Sequence, residues 1–301
     1  MSVFATGGSL QAMQQVVAGN ADFAQVNSTA LIQANAMNGV PARVVLANGI
    51  IDWRLIVPEA SPVRDIKDLK GKAIGVPSLG TGGIPLLRAY LRDNGVNPDS
   101  DVKLIPVGIG APAMDAIRSD RVQAAMYWRG MVVIFENMGG RFRHFRAPDW
   151  DTAIDYTFTA LQSTIDKDPQ MVEAIARGAN KATVFAMANP DCVRKLHWTQ
   201  WPNTKPTGAD EATLIKWDLN NLNAQLDTLR QAHKVFAGGR LWGQPTADSY
   251  AKMQDFLFNA NVINKKVPAE SMLINIPQFF EKVNRFDQNK IVTQAKACTA
   301  S

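Results

Sequence analysis

The chain has 301 residues, of which 46% are hydrophobic, enough for one large domain or two lobes around an ordinary core. Its 32 Lys and Arg residues exceed its 27 Asp and Glu residues, giving a net charge of +5. This excess is too small and scattered to indicate a nucleic-acid-binding protein, although it is compatible with small anionic ligands, and no apolar stretch approaches the roughly 20 residues of a membrane span.

The first predicted elements are a strand, a Gly-Gly-Ser turn, a helix and a second strand, within residues 3–27. Ser9 follows the turn and is placed to cap the helix. The free backbone N–H groups at a helix start, together with the helix dipole, favour an anion. Gly8 and Ser9 are therefore candidate ligand-binding residues. The alternative is that the glycines only permit a tight turn.

The sequence repeats itself, because residues 3–39 align without a gap with residues 104–140. Each copy contains a strand, a Gly-rich turn, a helix, a small-residue strand and a second helix that ends at Gly. Two such copies predict an α/β protein with two lobes, each a parallel-rich sheet flanked by helices. In the later copy, a further strand and helix at residues 72–95 come first. We therefore expect the first lobe to lack its first strand and helix, which would lie upstream of Met1.

A second Gly-rich turn, SLGTGG, follows the predicted strand at residues 72–76 and precedes a helix. Ligands of open parallel sheets bind beyond the carboxyl ends of the strands, where such turns lie. Ser78 and Thr81 provide hydroxyl groups, and Gly82 allows the backbone to approach a ligand. These three residues are candidates with the same alternative, a purely structural turn.

Two polar segments, residues 59–71 and 146–155, separate predicted strands and are expected to cross between the lobes. The first lobe would then contain residues 1–64 and 154–301, and the second residues 65–153. From Asp168 onward the pattern is helical, with Asp168 as a helix cap and proline in the first turn.

Four stretches of this chain resemble a known family. They are GGSLQAMQQVVAGNADFA, DIKDLKGKAIGVPSLGTGG, LLRAYLRDNGVNPDSDVKLIPVG and DRVQAAMYW. Their order and spacing are similar to those of the periplasmic substrate-binding proteins of ABC importers, in the branch for nitrate, taurine, alkanesulfonates and aromatic anions. This branch is related to thiamine-pyrimidine synthase-like proteins. DLKGKAIGV is the most specific of these motifs.

The resemblance implies the two-lobed periplasmic-binding-protein fold of type II, and it favours ligand contact by the two Gly-rich turns. The repeat aligns Asn27 and Ser28 with Trp128 and Arg129, and these positions face the cleft in the family. Arg129 would pair with a carboxylate or sulfonate. Trp128 would form an aromatic wall, and Trp53 either a second wall or part of the core.

The function implied is that of a non-enzymatic solute-binding protein, a monomer in the periplasm that holds a small organic anion and no cofactor. Its partners would be an ABC permease and its ATPase, which provide its only membrane contact, and the export signal would lie upstream of Met1. The alternatives are an enzyme on the same fold, pyrimidine synthase-like or a dehydratase, and a ligand-sensing domain.

Catalytic and metal-binding patterns have little support. The three histidines are dispersed, and no Ser-His-Asp or Cys-His arrangement is visible. Asp149, Asp151 and Asp155 are interpreted as a solvated turn rather than a metal site. Cys192 and Cys298 match no metal or redox spacing, and they form either one disulfide or two free thiols.

Overall fold

The computed structural model describes residues 2–236 and 240–299. Its strands are β1 (Ala24–Asn27), β2 (Ala42–Ala47), β3 (Trp53–Pro58), β4 (Lys72–Val76), β5 (Val102–Pro106), β6 (Ala124–Trp128), β7 (Phe142–Phe145) and β8 (Tyr156–Leu161). Its α-helices are α1 (Ser9–Val17), α2 (Ser28–Asn38), α3 (Gly83–Asp93), α4 (Ala111–Arg118), α5 (Arg129–Asn137), α6 (Gln162–Lys167), α7 (Pro169–Ala188), α8 (Pro190–Gln200), α9 (Glu211–Phe236), α10 (Ala247–Asn259), α11 (Phe279–Val283) and α12 (Gln288–Ala297).

The strands form two sheets, in the orders β1-β8-β2 and β5-β4-β6-β3-β7. Only the pairs β4/β5 and β4/β6 are parallel, whereas β8 and β3 run antiparallel to both of their neighbours. The α/β class with helix-flanked sheets is confirmed. The expected excess of parallel pairing is wrong for the described residues, because each sheet includes one antiparallel strand that arrives from the other sheet.

The sequence repeat is visible in the fold. It aligns β1 with β6 and α2 with α5, and the strand-to-helix boundaries at 27/28 and 128/129 coincide. The order β1-β8-β2 then corresponds to β6-β3-β7. Residues 2–6 belong to no strand, so the strand predicted at the start of the first copy is wrong; its counterpart in the second copy, β5, pairs with β4.

The chain passes between the sheets at residues 48–52 and 146–155, and these crossing segments lie side by side. Ile50 and Ile154 form an antiparallel bridge, and the Asp155 N–H donates to the Gly49 carbonyl at 2.9 Å. The first crossing thus lies earlier than expected.

Residues 59–71 connect β3 to β4 within one sheet and contain a 3-10 helix at Ile66–Leu69. The expected crossing there is wrong, because polar residues and proline mark a loop but do not determine which sheet the next strand joins. The division into lobes at 64/65 and 153/154 stays a prediction. The sheet membership of β3 favours a first boundary near residue 52.

A covalent bond cross-links the helical C-terminal part. Cys192 in α8 and Cys298 after α12 form a disulfide, with their Cα atoms 5.4 Å apart, which decides between the two alternatives for these cysteines. At the start of this part, the Asp168 side chain accepts a hydrogen bond from the Met171 N–H, as expected of a helix cap. Within residues 2–236 and 240–299, no helix is both long and apolar enough to cross a membrane.

Candidate functional site at the junction of the two sheets

The two Gly-rich turns, which precede α1 and α3, lie against each other. Ser78 Oγ donates a hydrogen bond to the Gly7 carbonyl at 2.8 Å. A Cβ atom on Gly8 would lie 2.9 Å from the Gly80 carbonyl oxygen, and Gly8 has a φ of 148°. Both the close approach and the positive φ require glycine at this position. The fold therefore brings the predicted turns of the two halves together.

Ser9 joins the first turn to β1. It is the first residue of α1, and Gly8 occupies the cap position, so the expectation that Ser9 caps the helix is wrong. Its hydroxyl donates to Asn27 Oδ1 at 2.7 Å and accepts the Asn27 N–H at 3.0 Å. Because this hydroxyl is used across the junction, it does not bond to the first turn of its own helix.

Asp155 lies at the centre of this junction and is fully buried. Asn27 Nδ2 donates to its Oδ1 at 2.7 Å, and Trp53 Nε1 donates to its Oδ2 at 3.0 Å. The Asp155 carbonyl accepts the Ser28 N–H at 2.6 Å, and Ser28 Oγ donates to the Ile154 carbonyl at 3.0 Å. Asp155 thus connects β1, β3 and α2.

Burial raises the pKa of the Asp155 carboxyl well above its usual range, although hydrogen bonds from Asn27 and Trp53 oppose the shift. The negative charge of the nearby Asp52 raises this pKa further. The interpretation of Asp155 as part of a solvated turn is wrong, because its side chain points into the junction while Asp149 and Asp151 are exposed. No group of three or more His, Cys, Asp or Glu in the described residues could hold a metal ion.

The second turn packs closely on the same network. A Cβ on Gly82 would lie 2.1 Å from Asn27 Oδ1, and one on Gly83 would lie 2.4 Å from the Trp53 ring. Thr29 Oγ1 also donates to the Gly82 carbonyl at 3.1 Å. The glycines are therefore needed for close packing in this structure. A ligand that reached these turns would have to replace some of these contacts.

Thr81 and Gly82 also border a smaller cavity of about 260 Å³, together with Leu10 and Arg88. Thr81 is buried. Residues of α1, α2 and α3 line this cavity, which borders the second turn.

The remaining two predicted residues, Trp128 and Arg129, are adjacent in the chain but make different contacts. The Trp128 ring contacts the Trp53 ring edge-on, with centroids 5.7 Å apart, so both tryptophans belong to the packed junction. Arg129 instead forms an ion pair with Glu136 at 2.8 Å. Arg129 thus stands apart from the other nine predicted residues, which gather around Asp155 and the two turns.

Arg129 borders a polar cavity of about 920 Å³, here called the hinge cavity. It is lined by residues of both crossing segments, by Arg54 of β3 and by helices α5 and α9. Its charged lining residues are Arg54, Arg129, Arg146, Lys216, Asp52, Glu136, Asp151 and Asp227. A cavity of this size can take a small organic molecule.

Asp52 is the buried acid of the hinge cavity. Thr228 Oγ1 donates to its Oδ2 at 3.3 Å, and its Oδ1 has no hydrogen-bond partner. Burial raises the pKa of Asp52 to about 6, whereas the Thr228 hydrogen bond and the charges of Arg54 and Arg146 lower it. At neutral pH the carboxyl is therefore mostly ionised.

Two arginines that line the hinge cavity each have a buried Nε atom without a hydrogen-bond partner. Arg54 makes no hydrogen bond or salt bridge in the described part of the chain, and its Nε atom is buried. Arg146 bonds to Asp151 and to the Ile51 carbonyl, yet its Nε atom also has no partner. Burial, followed by repulsion from Arg146 and Arg129, lowers the pKa of Arg54.

Sequence reasoning missed Asp52, Arg54 and Arg146, although one signal was available. DWRLIV (52–57) and DYTFTA (155–160) both start with Asp and an aromatic residue, and each begins the strand that enters the other sheet. An alignment of these two strands, beside the longer repeat, would have identified Asp52 and Asp155 as a pair.

Comparison with known proteins agrees with this architecture. Residues 2–192 match a family model described as NMT1/THI5 like. The chain belongs to the NMT1/THI5-like family. The family resemblance predicted from the sequence is thereby confirmed. A search of curated protein sequences finds no match.

Solved structures share the fold. A protein from Bordetella bronchiseptica RB50 has 20% identity and a TM-score of 0.66, over 94% of this chain and 86% of its own. The alkanesulfonate-binding protein SsuA from Xanthomonas axonopodis pv. citri, bound to MOPS, has 17% identity and a TM-score of 0.60, over 90% and 86%. A mutant of the desulfurization enzyme DszB, in complex with biphenyl-2-sulfinic acid, has 15% identity and a TM-score of 0.56, over 93% of this chain and 90% of its own. This chain therefore has the periplasmic-binding-protein fold.

Proposed function

We propose that this protein is the solute-binding component of an ABC-type importer and that it binds a small organic anion between its two sheets. The solute would be a sulfonate or carboxylate, with an aromatic group as one option. Its partners would be a permease and an ATPase, and it would act in the periplasm as a monomer. The resemblance to SsuA, a sulfonate-binding protein, supports this role.

The observation that carries the proposal is the position of the hinge cavity. Both crossing segments, at Ile50–Asp52 and at Arg146 and Asp151, border it together with α5 and α9. Movement of the sheets about the crossings would therefore change its shape. Closure of this kind couples ligand binding to a protein conformation that a permease can recognise.

A binding screen tests the proposal. The full chain is titrated calorimetrically with aliphatic and aromatic sulfonates, carboxylates, zwitterionic amino acids, nitrate and sulfate, and its melting temperature is measured with each. We expect one class to bind and to raise the melting temperature as its concentration increases, because a ligand that binds only the folded state stabilises it. Failure of every compound to bind would refute the proposal.

An enzyme on the same fold is the second candidate, and the likeness to DszB favours it. The residues that line the hinge cavity include neither histidine nor cysteine, which favours binding over nucleophilic or acid-base chemistry by those groups. Chromatography of each bound compound after incubation separates the candidates, since an enzyme would convert the compound and a binding protein would return it unchanged.

A further inference from the structure

Asp52 and Asp155 occupy matching positions in the two halves. Asp52 directly precedes β3 and Asp155 directly precedes β8, the two strands that enter from the opposite sheet. Both carboxyls are also near the backbone N–H at the start of a repeat-related helix, Arg129 of α5 for Asp52 and Ser28 of α2 for Asp155. Each half of the protein therefore contains the same arrangement, an aspartate carboxyl near the backbone N–H at the start of a helix.

The carboxyl groups of Asp155 and Asp52 differ in the hydrogen bonds that they accept. The Asp155 carboxylate accepts N–H groups from Asn27 on one oxygen and from Trp53 on the other. Asp52 Oδ2 accepts the Thr228 hydroxyl at 3.3 Å, whereas Asp52 Oδ1 has no hydrogen-bond partner in the described chain, although the Arg129 backbone N–H is near the carboxyl. A buried carboxylate oxygen without a donor is costly, and Asp52 is one of the residues that line the cavity of about 920 Å³.

The Arg54 side chain, which has donors without an acceptor, is near Asp52 in the chain. Arg54 is two residues beyond Asp52, and both line the hinge cavity, whereas Trp53 between them faces the junction. Arg54 Nε is buried and unpartnered, and so is Arg146 Nε. A planar guanidinium group with free N–H groups is suited to a carboxylate or sulfonate.

We propose that the hinge cavity binds a small zwitterion, whose acid group is held by Arg54 and whose ammonium group donates to Asp52. This inference rests on the proposed solute-binding function and specifies its site and solute class. A simple anion would satisfy Arg54 but would leave Asp52 Oδ1 without a donor. The lining also contains four acidic and four basic side chains, a balance that suits a ligand carrying both charges.

Matched compounds test the pairing. 4-(Aminomethyl)benzoate and 4-methylbenzoate have nearly the same shape, but only the first carries an ammonium group; β-alanine and propionate form a smaller pair. Calorimetry at pH 7.5 should show that the wild-type protein binds one of the two zwitterions at least about tenfold more tightly than its matched anion, because only the zwitterion can form a charge-assisted hydrogen bond with Asp52.

Variants then assign each half of the ligand. Arg54→Gln should weaken binding of the zwitterion by about tenfold or more. Arg54→Lys should recover only part of this affinity, because lysine lacks the planar guanidinium group. Asp52→Asn should reduce the preference for the zwitterion over the anion. Arg121→Gln, which removes an exposed arginine, is the control and should change neither value. Melting curves confirm that each variant is folded.

The outcomes separate this inference from the proposed function. If wild-type protein binds another oxyanion solute but neither zwitterion, or if Arg54→Gln and Asp52→Asn bind the zwitterions as wild type does, the inference is overturned while solute binding stands. If nothing in the broad screen binds, both are overturned. A preference for the zwitterion that Asp52→Asn abolishes would support the inference.

Discussion

The indole N–H of Trp53 donates to Asp155 Oδ2 at 3.0 Å, which joins the first residue of β3 to the crossing segment that leads into β8. Both side chains are almost fully buried. This bond fastens together the two points at which the chain changes sheets, so the stability of the junction depends on it.

Trp53→Phe should therefore destabilise the protein more than Trp150→Phe. Both tryptophans are buried to the same degree, but Trp150 Nε1 has no hydrogen-bond partner. Replacing Trp53 leaves an Asp155 oxygen without its donor, which costs about 1–3 kcal/mol beyond the loss of ring volume. Urea unfolding of both variants measures the difference. Equal losses would show that the Trp53 bond contributes nothing net.

Gly83→Ala should destabilise the protein, whereas Gly178→Ala should stabilise it. A Cβ at Gly83 would meet the Trp53 ring at 2.4 Å, while nothing lies within 4 Å of a Cβ at Gly178 in α7. Overpacking typically costs about 1–3 kcal/mol, and alanine in an exposed helix gains up to about 1 kcal/mol over glycine. Thermal melts of both variants provide the comparison. A Gly83→Ala protein as stable as wild type would indicate that Trp53 moves aside easily.

Asp52 should make stability depend on pH. Burial raises its pKa from 3.8 to about 6, so the folded state favours the protonated carboxyl. The stabilisation is fully present below pH 3.8 and is lost as the pH rises through about 6. The shift corresponds to about 3 kcal/mol.

Asp52→Asn, which cannot ionise, should therefore gain stability relative to wild type as the pH rises from 4 to 7. Urea unfolding across this range measures the gain, and the exposed Asp149→Asn is the control. A difference between Asp52→Asn and wild type that stays constant with pH would contradict the raised pKa.

Reduction of the Cys192–Cys298 disulfide should lower the free energy of unfolding by about 2–4 kcal/mol, because the bond closes a loop between residues 106 positions apart. Melting with and without dithiothreitol measures the effect. The double variant Cys192→Ser, Cys298→Ser should melt at the lower temperature in both conditions. An identical melting temperature for oxidised and reduced wild-type protein would refute the prediction.

Much of the local structure could be predicted from the sequence, because it depends on neighbouring residues. The repeat of residues 3–39 and 104–140 indicated the matching strand and helix boundaries, and Asp168 and Pro169 marked the start of α7. The glycine positions showed where the turns lie. Cys192 and Cys298, by contrast, left two alternatives open, since spacing does not report distance in space.

What the sequence determined by itself was most of the strands, the positions of the two Gly-rich turns, the start of α7 and the family to which the chain belongs. Only the tertiary structure decided which sheet β3 joins, that Asn27, Trp53 and Asp155 close the junction between the turns, and that Arg129 lies in a separate cavity with Asp52 and Arg54. Local patterns record backbone preferences and burial. Strand pairing and the filling of an interface depend on contacts between residues far apart in the chain, and these form only when the two halves pack together.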